Sequence, residues 1–165
     1  MTKFKVLIVL ILTLNFTSFS QQYKTAIGLK GGSMTARSGF GGVNLKHFFT
    51  GSNAIEITAS GGRGNYRIHG LYEWQNQTGW EEGLDWYVGI GGGAGFWRRN
   101  YWAPGHNKYG LNDGFYLFGS AVIGLDYTFS DLPLNLAIDT GPSVGIINTY
   151  GFGWGGGIAI RYILE

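Results

Sequence analysis

The chain has 165 residues, a net charge of +2, 13% charged and 16% aromatic residues, 30 glycines and no cysteine. Ordinary soluble domains are about 25% charged, so this composition is poorly suited to a wetted surface, and the small net charge without any Lys/Arg run offers nucleic acid no docking element. Without cysteine there is no disulfide, thiolate metal site, cysteine nucleophile or lipoprotein anchor.

Residues 1–20 read as a signal peptide. Lys3 and Lys5 precede an apolar run over 6–14, and Ser18-Phe19-Ser20 supplies a small-x-small cleavage site before Gln21. The run is shorter than the roughly 20 apolar residues of a spanning helix. The expectation is an exported mature domain over 21–165 with no helical anchor.

Along that domain, alternation of period two between Gly, Asn, Asp and Pro clusters predicts strands over 23–30, 41–49, 54–60, 66–74, 84–97, 115–129, 134–146 and 152–164. The segment 84–97 shows the pattern most plainly. Leu84, Trp86, Val88, Ile90, Ala94 and Phe96 share one face, and Asp85, Tyr87, Gly89, Gly91, Gly93 and Gly95 the other. The connections at 50–53 and 130–133 are predicted short and those at 31–40 and 98–114 long, which places short turns on a periplasmic side and long loops outside; 75–83 is long for a periplasmic turn.

Volume decides which face points outward. Ile27, Leu29, Val43, Leu45, Ile55, Ile57, Ile68, Ile90, Ile123, Leu125, Ile138, Ile158 and Ile160 are among far more apolar side chains than an eight-stranded lumen holds, so they must face out. The other parity carries Gly28, Gly89, Gly91, Gly93, Gly95, Gly124, Gly141, Gly145, Gly155 and Gly157, which suits a narrow interior. Tyr23, Phe49, Trp74, Trp86, Tyr127, Phe129 and Tyr162 are expected at the periplasmic rim and Tyr66, Phe96, Phe115 and Trp154 at the outer rim, as two aromatic girdles. The fold class expected is all-β, an eight-stranded antiparallel up-and-down transmembrane β-barrel in the outer membrane of a Gram-negative bacterium.

The segments Gly83-Leu84-Asp85-Trp86-Tyr87-Val88-Gly89, Gly124-Leu125-Asp126-Tyr127-Thr128-Phe129 and Leu132-Pro133-Leu134-Asn135-Leu136, with the ending Gly157-Ile158-Ala159-Ile160-Arg161-Tyr162, resemble the small outer-membrane β-barrel proteins of Bacteroidota, the PorT-like or outer-membrane β-barrel-domain group. The resemblance covers the mature chain, although Leu164 and Glu165 follow the terminal aromatic Tyr162. It implies insertion by the outer-membrane assembly machinery and no defined ligand.

The inward parity gathers Lys24, Lys30, Asn44, Lys46, Glu56, Thr58, Arg67, His69, Glu73, Asp85, Asp126, Asn135, Asp139 and Arg161. Mixed signs at comparable depth point to paired charges, because an isolated ion in a narrow lumen is costly to desolvate. Lys24, Lys46, Glu56, Glu73, Asp85, Asp126, Asp139 and Arg161 form the candidate lumen network. Arg161 is expected near Asp139 if the last hairpin folds about Tyr150, with Asp126 as the alternative partner. Tyr87, Trp97, Tyr116 and Phe118 share this face and should obstruct a pore, which favours a structural plug over a narrow channel.

A lipid A-modifying enzyme would need a His and Ser poised for acyl transfer. Here His69 is followed at two residues by Leu71 and His47 by Phe49, and Ser60, His69 and Glu73 form a triad only by accident of register. Gly89-Ile90-Gly91-Gly92-Gly93-Ala94 fits a dinucleotide fingerprint in letters but sits inside a strand. No catalytic residue, cofactor or metal site is expected. Arg98, Arg99, Tyr101, Trp102 and Lys108 mark the predicted outer loop as a lipopolysaccharide or partner contact, with Glu81, Glu82, Asp131 and Glu165 on the opposite side. The reading is a non-enzymatic, monomeric barrel with a structural or surface-interaction role.

Overall fold

The computed structural model describes residues 23–35, 38–62, 65–97, 114–149 and 151–164. They form eight strands and, among the described residues, no helix: β1 (Thr25–Thr35), β2 (Ser38–Thr50), β3 (Asn53–Gly62), β4 (Asn65–Gln77), β5 (Leu84–Trp97), β6 (Gly114–Thr128), β7 (Leu134–Ile147) and β8 (Phe152–Ile163). Each strand pairs antiparallel with its chain neighbours, and β8 returns to β1 through Ile27↔Tyr162 to Ser33↔Gly156, which closes the barrel. The protein is an all-β, eight-stranded antiparallel barrel. The expected signal peptide at 1–20 and the residues Arg98, Arg99, Tyr101, Trp102 and Lys108 expected in an outer loop lie outside the described residues, as do Arg37, Arg63, Asp113 and Glu165.

The strand boundaries differ from expectation mainly in the glycine-containing stretches predicted as connections. Instead of a long connection over 31–40, β1 runs on to Thr35 and β2 begins at Ser38, with Gly31↔Gly41 and Gly32↔Phe40 in the ladder and a register shift between Ser33 and Thr35. Glycine tolerates extended backbone as readily as a turn, so composition alone does not end a strand. Similarly β4 continues past Trp74, pairing Gln75 with Tyr87 and Gln77 with Asp85, and the turn shrinks to 78–83. That turn does need glycine: Gly79 and Gly83 have φ of 74° and 84°.

Side chains sort by parity as the volume argument requires. Leu29, Ile68, Ile146 and Ile158 are each more than 60% exposed on the outer wall, while Lys46, Glu73 and Asp126 are fully buried in the lumen. The outer wall carries aromatic clusters at both ends, Phe49, Tyr72 and Trp74 with Tyr127 and Phe129 near the chain termini, and Phe96 against Phe115 at the other end. Tyr23 is a correction: it is buried and packs edge-on against Phe48 at 5.1 Å, inside the barrel mouth rather than on the rim. It precedes β1, where the chain still lies within the barrel's end and its ring, with Phe48, Ala26 and Ala54, makes an apolar floor under the lumen. Burial raises the Tyr23 hydroxyl above its ordinary range, so that floor stays uncharged.

Candidate functional site: the lumen charge network

The interior positions of β8, β6 and β3 bring Arg161, Asp126 and Glu56 together. Arg161 Nε donates to Asn44 Oδ1 at 2.5 Å, and Nη1 to Asn135 Oδ1 at 2.7 Å and more weakly to Asp126 Oδ2 at 3.4 Å. Its Nη2 pairs with the Glu56 carboxylate. Lys46 Nζ reaches Asp126 Oδ2 at 2.9 Å, Gln75 Oε1 at 2.6 Å and Glu73 Oε2 at 3.0 Å, and stands 4.6 Å above the Tyr87 ring. Lys30 Nζ bridges Glu56 Oε1 and Asp139 Oδ2, each at 2.5 Å, and Tyr87 donates its hydroxyl to Asp139 Oδ2 at 2.9 Å.

The contacts form one connected chain, Asp139–Lys30–Glu56–Arg161–Asp126–Lys46–Glu73, with Tyr87 attached at Asp139. Every strand supplies one member: Lys30, Lys46, Glu56, Glu73, Tyr87, Asp126, Asp139 and Arg161 come from β1 to β8 in turn. Such a chain of bonds ties each strand to others across the lumen, including strands that never share a ladder. In low dielectric each charge is costly alone and strongly held when satisfied.

Six of the eight residues singled out from sequence are members. The other two differ. Lys24 precedes β1 and is exposed, and it is its chain neighbour Tyr23 that is buried in the barrel mouth. Asp85 is half-buried and joins only through Gln75, whose Nε2 donates to its Oδ2 at 2.8 Å. Arg161 does not meet Asp139. The last hairpin pairs Asn135 with Arg161 and Asp139 with Gly157, so it folds about residue 148 rather than 150. Four residues of strand, about 13 Å, then separate the expected pair. The alternative partner, Asp126, is the one in contact. Lys30 lay on the inward parity without being singled out. Gln75 fell in the predicted turn, so no parity could be assigned to it.

Toward the loop end, His69 Nε2 lies 2.8 Å from Ser120 Oγ and the Arg67 guanidinium stacks 4.3 Å from the Phe40 ring. His69 therefore does not join Ser60 and Glu73: Ser60 sits opposite Arg67 in the ladder, and Glu73 faces Lys46. A cavity of about 30 Å³ beside Lys30, His69, Ser120 and Asp139 has room for about one or two waters. Phe118 and Tyr116 stack above, 6.2 Å apart, over Gly93 and Gly95, which lie opposite them in the ladder and leave space for the rings.

The connected network holds four carboxylates but three cations, and Glu73 is its loosest member. Neither Glu73 oxygen receives a well-oriented hydrogen bond, whereas Glu56 is held by Lys30 and Arg161. Glu73→Gln is therefore expected to leave the urea midpoint of the folded barrel unchanged or raised. Glu56→Gln should lower the unfolding free energy by about 1.5–3 kcal/mol, the scale of a lost charge-assisted hydrogen bond, and the midpoint with it. Equal losses in the two variants would show that Glu73 is as firmly held as Glu56.

No family model, curated protein or solved structure matches this chain.

Proposed function

We propose that the protein is an integral outer-membrane β-barrel of a Gram-negative bacterium, exported through a cleaved segment at 1–20, belonging with the PorT-like group it resembles, and acting as a non-enzymatic structural or surface-interaction protein whose lumen is closed by paired charges. One observation carries this reading: aliphatic side chains cover the outside and ions fill the inside. A water-soluble barrel has the opposite arrangement, since exposed apolar surface beyond a few hundred Å² is rare on soluble monomers. Closure leaves no unpaired sheet edge, which hydrocarbon demands. Strands of 10 to 15 residues meet or exceed the roughly 9–11 that a tilted strand needs to cross.

The apolar floor at Tyr23 and Phe48, the ion network and the stacked Tyr116 and Phe118 succeed one another along the lumen, which supports a plug over a channel. Such a barrel offers its surface rather than its interior. The contact with lipopolysaccharide rests on Arg98, Arg99, Tyr101, Trp102 and Lys108 in the segment joining β5 to β6. Insertion by the assembly machinery and a monomeric state complete the proposal.

Unheated protein in SDS should migrate differently from boiled protein, because a closed barrel keeps its internal pairing, and in planar bilayers the wild type should pass no steady current. Identical mobility with recovery in the soluble periplasmic fraction would refute the membrane placement. A stable conductance would instead refute the plug and favour a narrow channel.

A further inference from the structure

Going beyond that reading and resting on the closed lumen alone, we propose that the folded barrel holds one proton on Glu73 at neutral pH, which makes the lumen a proton-dependent closure. The charges require a compensating one. Lys30, Lys46 and Arg161 are paired among Glu56, Glu73, Asp126 and Asp139. Adding Arg67 and the half-buried Asp85 from the same interior still leaves one carboxylate more than the cations among the described residues. A buried charge without compensation takes up a proton instead, because low dielectric penalises the ionised form.

Hydrogen bonding assigns the proton to Glu73. Glu56 is held by Lys30 on one oxygen and by Arg161 on the other, and Asp126 by Lys46 and Asn135. Asp139 accepts from Lys30 and Tyr87. Such bonds favour the carboxylate form in all three. Asp85 accepts from Gln75 and, being half-buried, keeps contact with solvent. Glu73 is fully buried, and neither of its oxygens is hydrogen-bonded. Lys46 directs its hydrogen bonds to Gln75 and Asp126 and approaches Glu73 Oε2 at 3.0 Å without forming one.

Apolar groups flank Glu73. Its ladder neighbours are Ala54 and Gly89, and Ala54 belongs to the floor with Tyr23 and Phe48. The Tyr23 hydroxyl, shifted up by burial, brings no charge. His69, the other group that could take the proton, stands four residues along β4, about 13 Å away. It shares a cavity with Lys30 and a strand face with Arg67, two cations that oppose a third positive charge.

The consequence for stability has a definite sign. A glutamate of the unfolded chain titrates at about 4.3, so unfolding at neutral pH releases the proton and a rise in pH favours the unfolded chain. In the folded barrel, ionised Glu73 competes with Asp126 for Lys46 and loosens a contact that ties β2 to β6.

The test is infrared spectroscopy of the mature barrel refolded in uncharged detergent, in heavy water at neutral pH, with urea titrations of the same samples. Wild type should show the C=O stretch of one neutral carboxylic acid, which Glu73→Gln removes and Asp85→Asn retains. The ratio of the wild-type folding constant to that of Glu73→Gln should fall by roughly ten- to a hundredfold between about pH 5 and about pH 7, since one proton shifts it up to about tenfold per pH unit. Contributions from histidines, common to both chains, cancel in that ratio. If Glu73→Gln lacks the heat-dependent mobility shift, heavy-carbon labelling of the glutamate side chains in wild type decides, because the acid band moves only when a glutamate carries the proton. A folded wild type without an acid band, a band that survives Glu73→Gln or ignores the label, or a ratio constant with pH would each overturn the proposal. A missing band together with stability that depends on added sodium would put a metal cation in the proton's place.

Discussion

Arg161→Ala is expected to lower the unfolding free energy of the barrel by about 3–5 kcal/mol, the cost of removing one partner from a buried ion pair and stranding the other. At a urea slope of about 1–3 kcal/mol/M this is a midpoint shift on the order of 1–5 M. Arg161 is fully buried and reaches Asn44, Glu56, Asp126 and Asn135, on four different strands. Its loss leaves four carboxylates facing Lys30 and Lys46 alone. Adding Glu56→Gln should recover part of the loss, because the stranded carboxylate is removed with its partner. Adding Asp139→Asn should not, since Asp139 is held by Lys30 and Tyr87. Strict additivity of Arg161→Ala with Glu56→Gln would show that their contact contributes nothing, and an unchanged midpoint in Arg161→Ala would remove the network from the account of stability.

Strand existence and facing were legible because both are local. Trp86, Val88 and Ile90 against Asp85, Tyr87 and Gly89 announce a period of two, and the surplus of aliphatic volume turns that face outward without reference to any partner. Which charges meet was not legible, because it depends on register. Moving the centre of the last hairpin from residue 150 to 148 keeps every side chain on its face yet replaces Asp139 by Asn135 opposite Arg161. Parity is blind to a shift of that kind. The contact between Arg161 and Glu56 is further from view, since β8 and β3 share no ladder and meet only across the lumen. Gln75 was hidden for another reason: the run Gln75-Asn76-Gln77-Thr78-Gly79 has turn composition, and the ladder to β5 overrides it as far as Gln77.

Gly124→Val should be nearly as damaging as the loss of Arg161, although glycine bears no functional group. Gly124 lies opposite Tyr87 in the β5–β6 ladder, and the Tyr87 ring lies across it. A Cβ at this position would sit 2.6 Å from Tyr87 Cζ and 2.6 Å from Ile138 O, closer than real Cβ atoms approach. The ring must move, and with it goes the hydroxyl that holds Asp139 and the face over which Lys46 stands. Overpacking costs about 1–3 kcal/mol and the hydrogen bond to a charged acceptor about 1.5–3 kcal/mol, together on the order of 2.5–6 kcal/mol. Tyr87→Phe alone should show only the hydrogen-bond part. Tyr87→Ala in the Gly124→Val background should restore some stability by removing the ring, but not all, because the contact with Ile138 O belongs to the backbone. A Gly124→Val barrel with wild-type heat-dependent mobility and an unchanged urea midpoint would show that the lumen has slack at Tyr87, and the ring would then no longer count as a fixed support for Asp139.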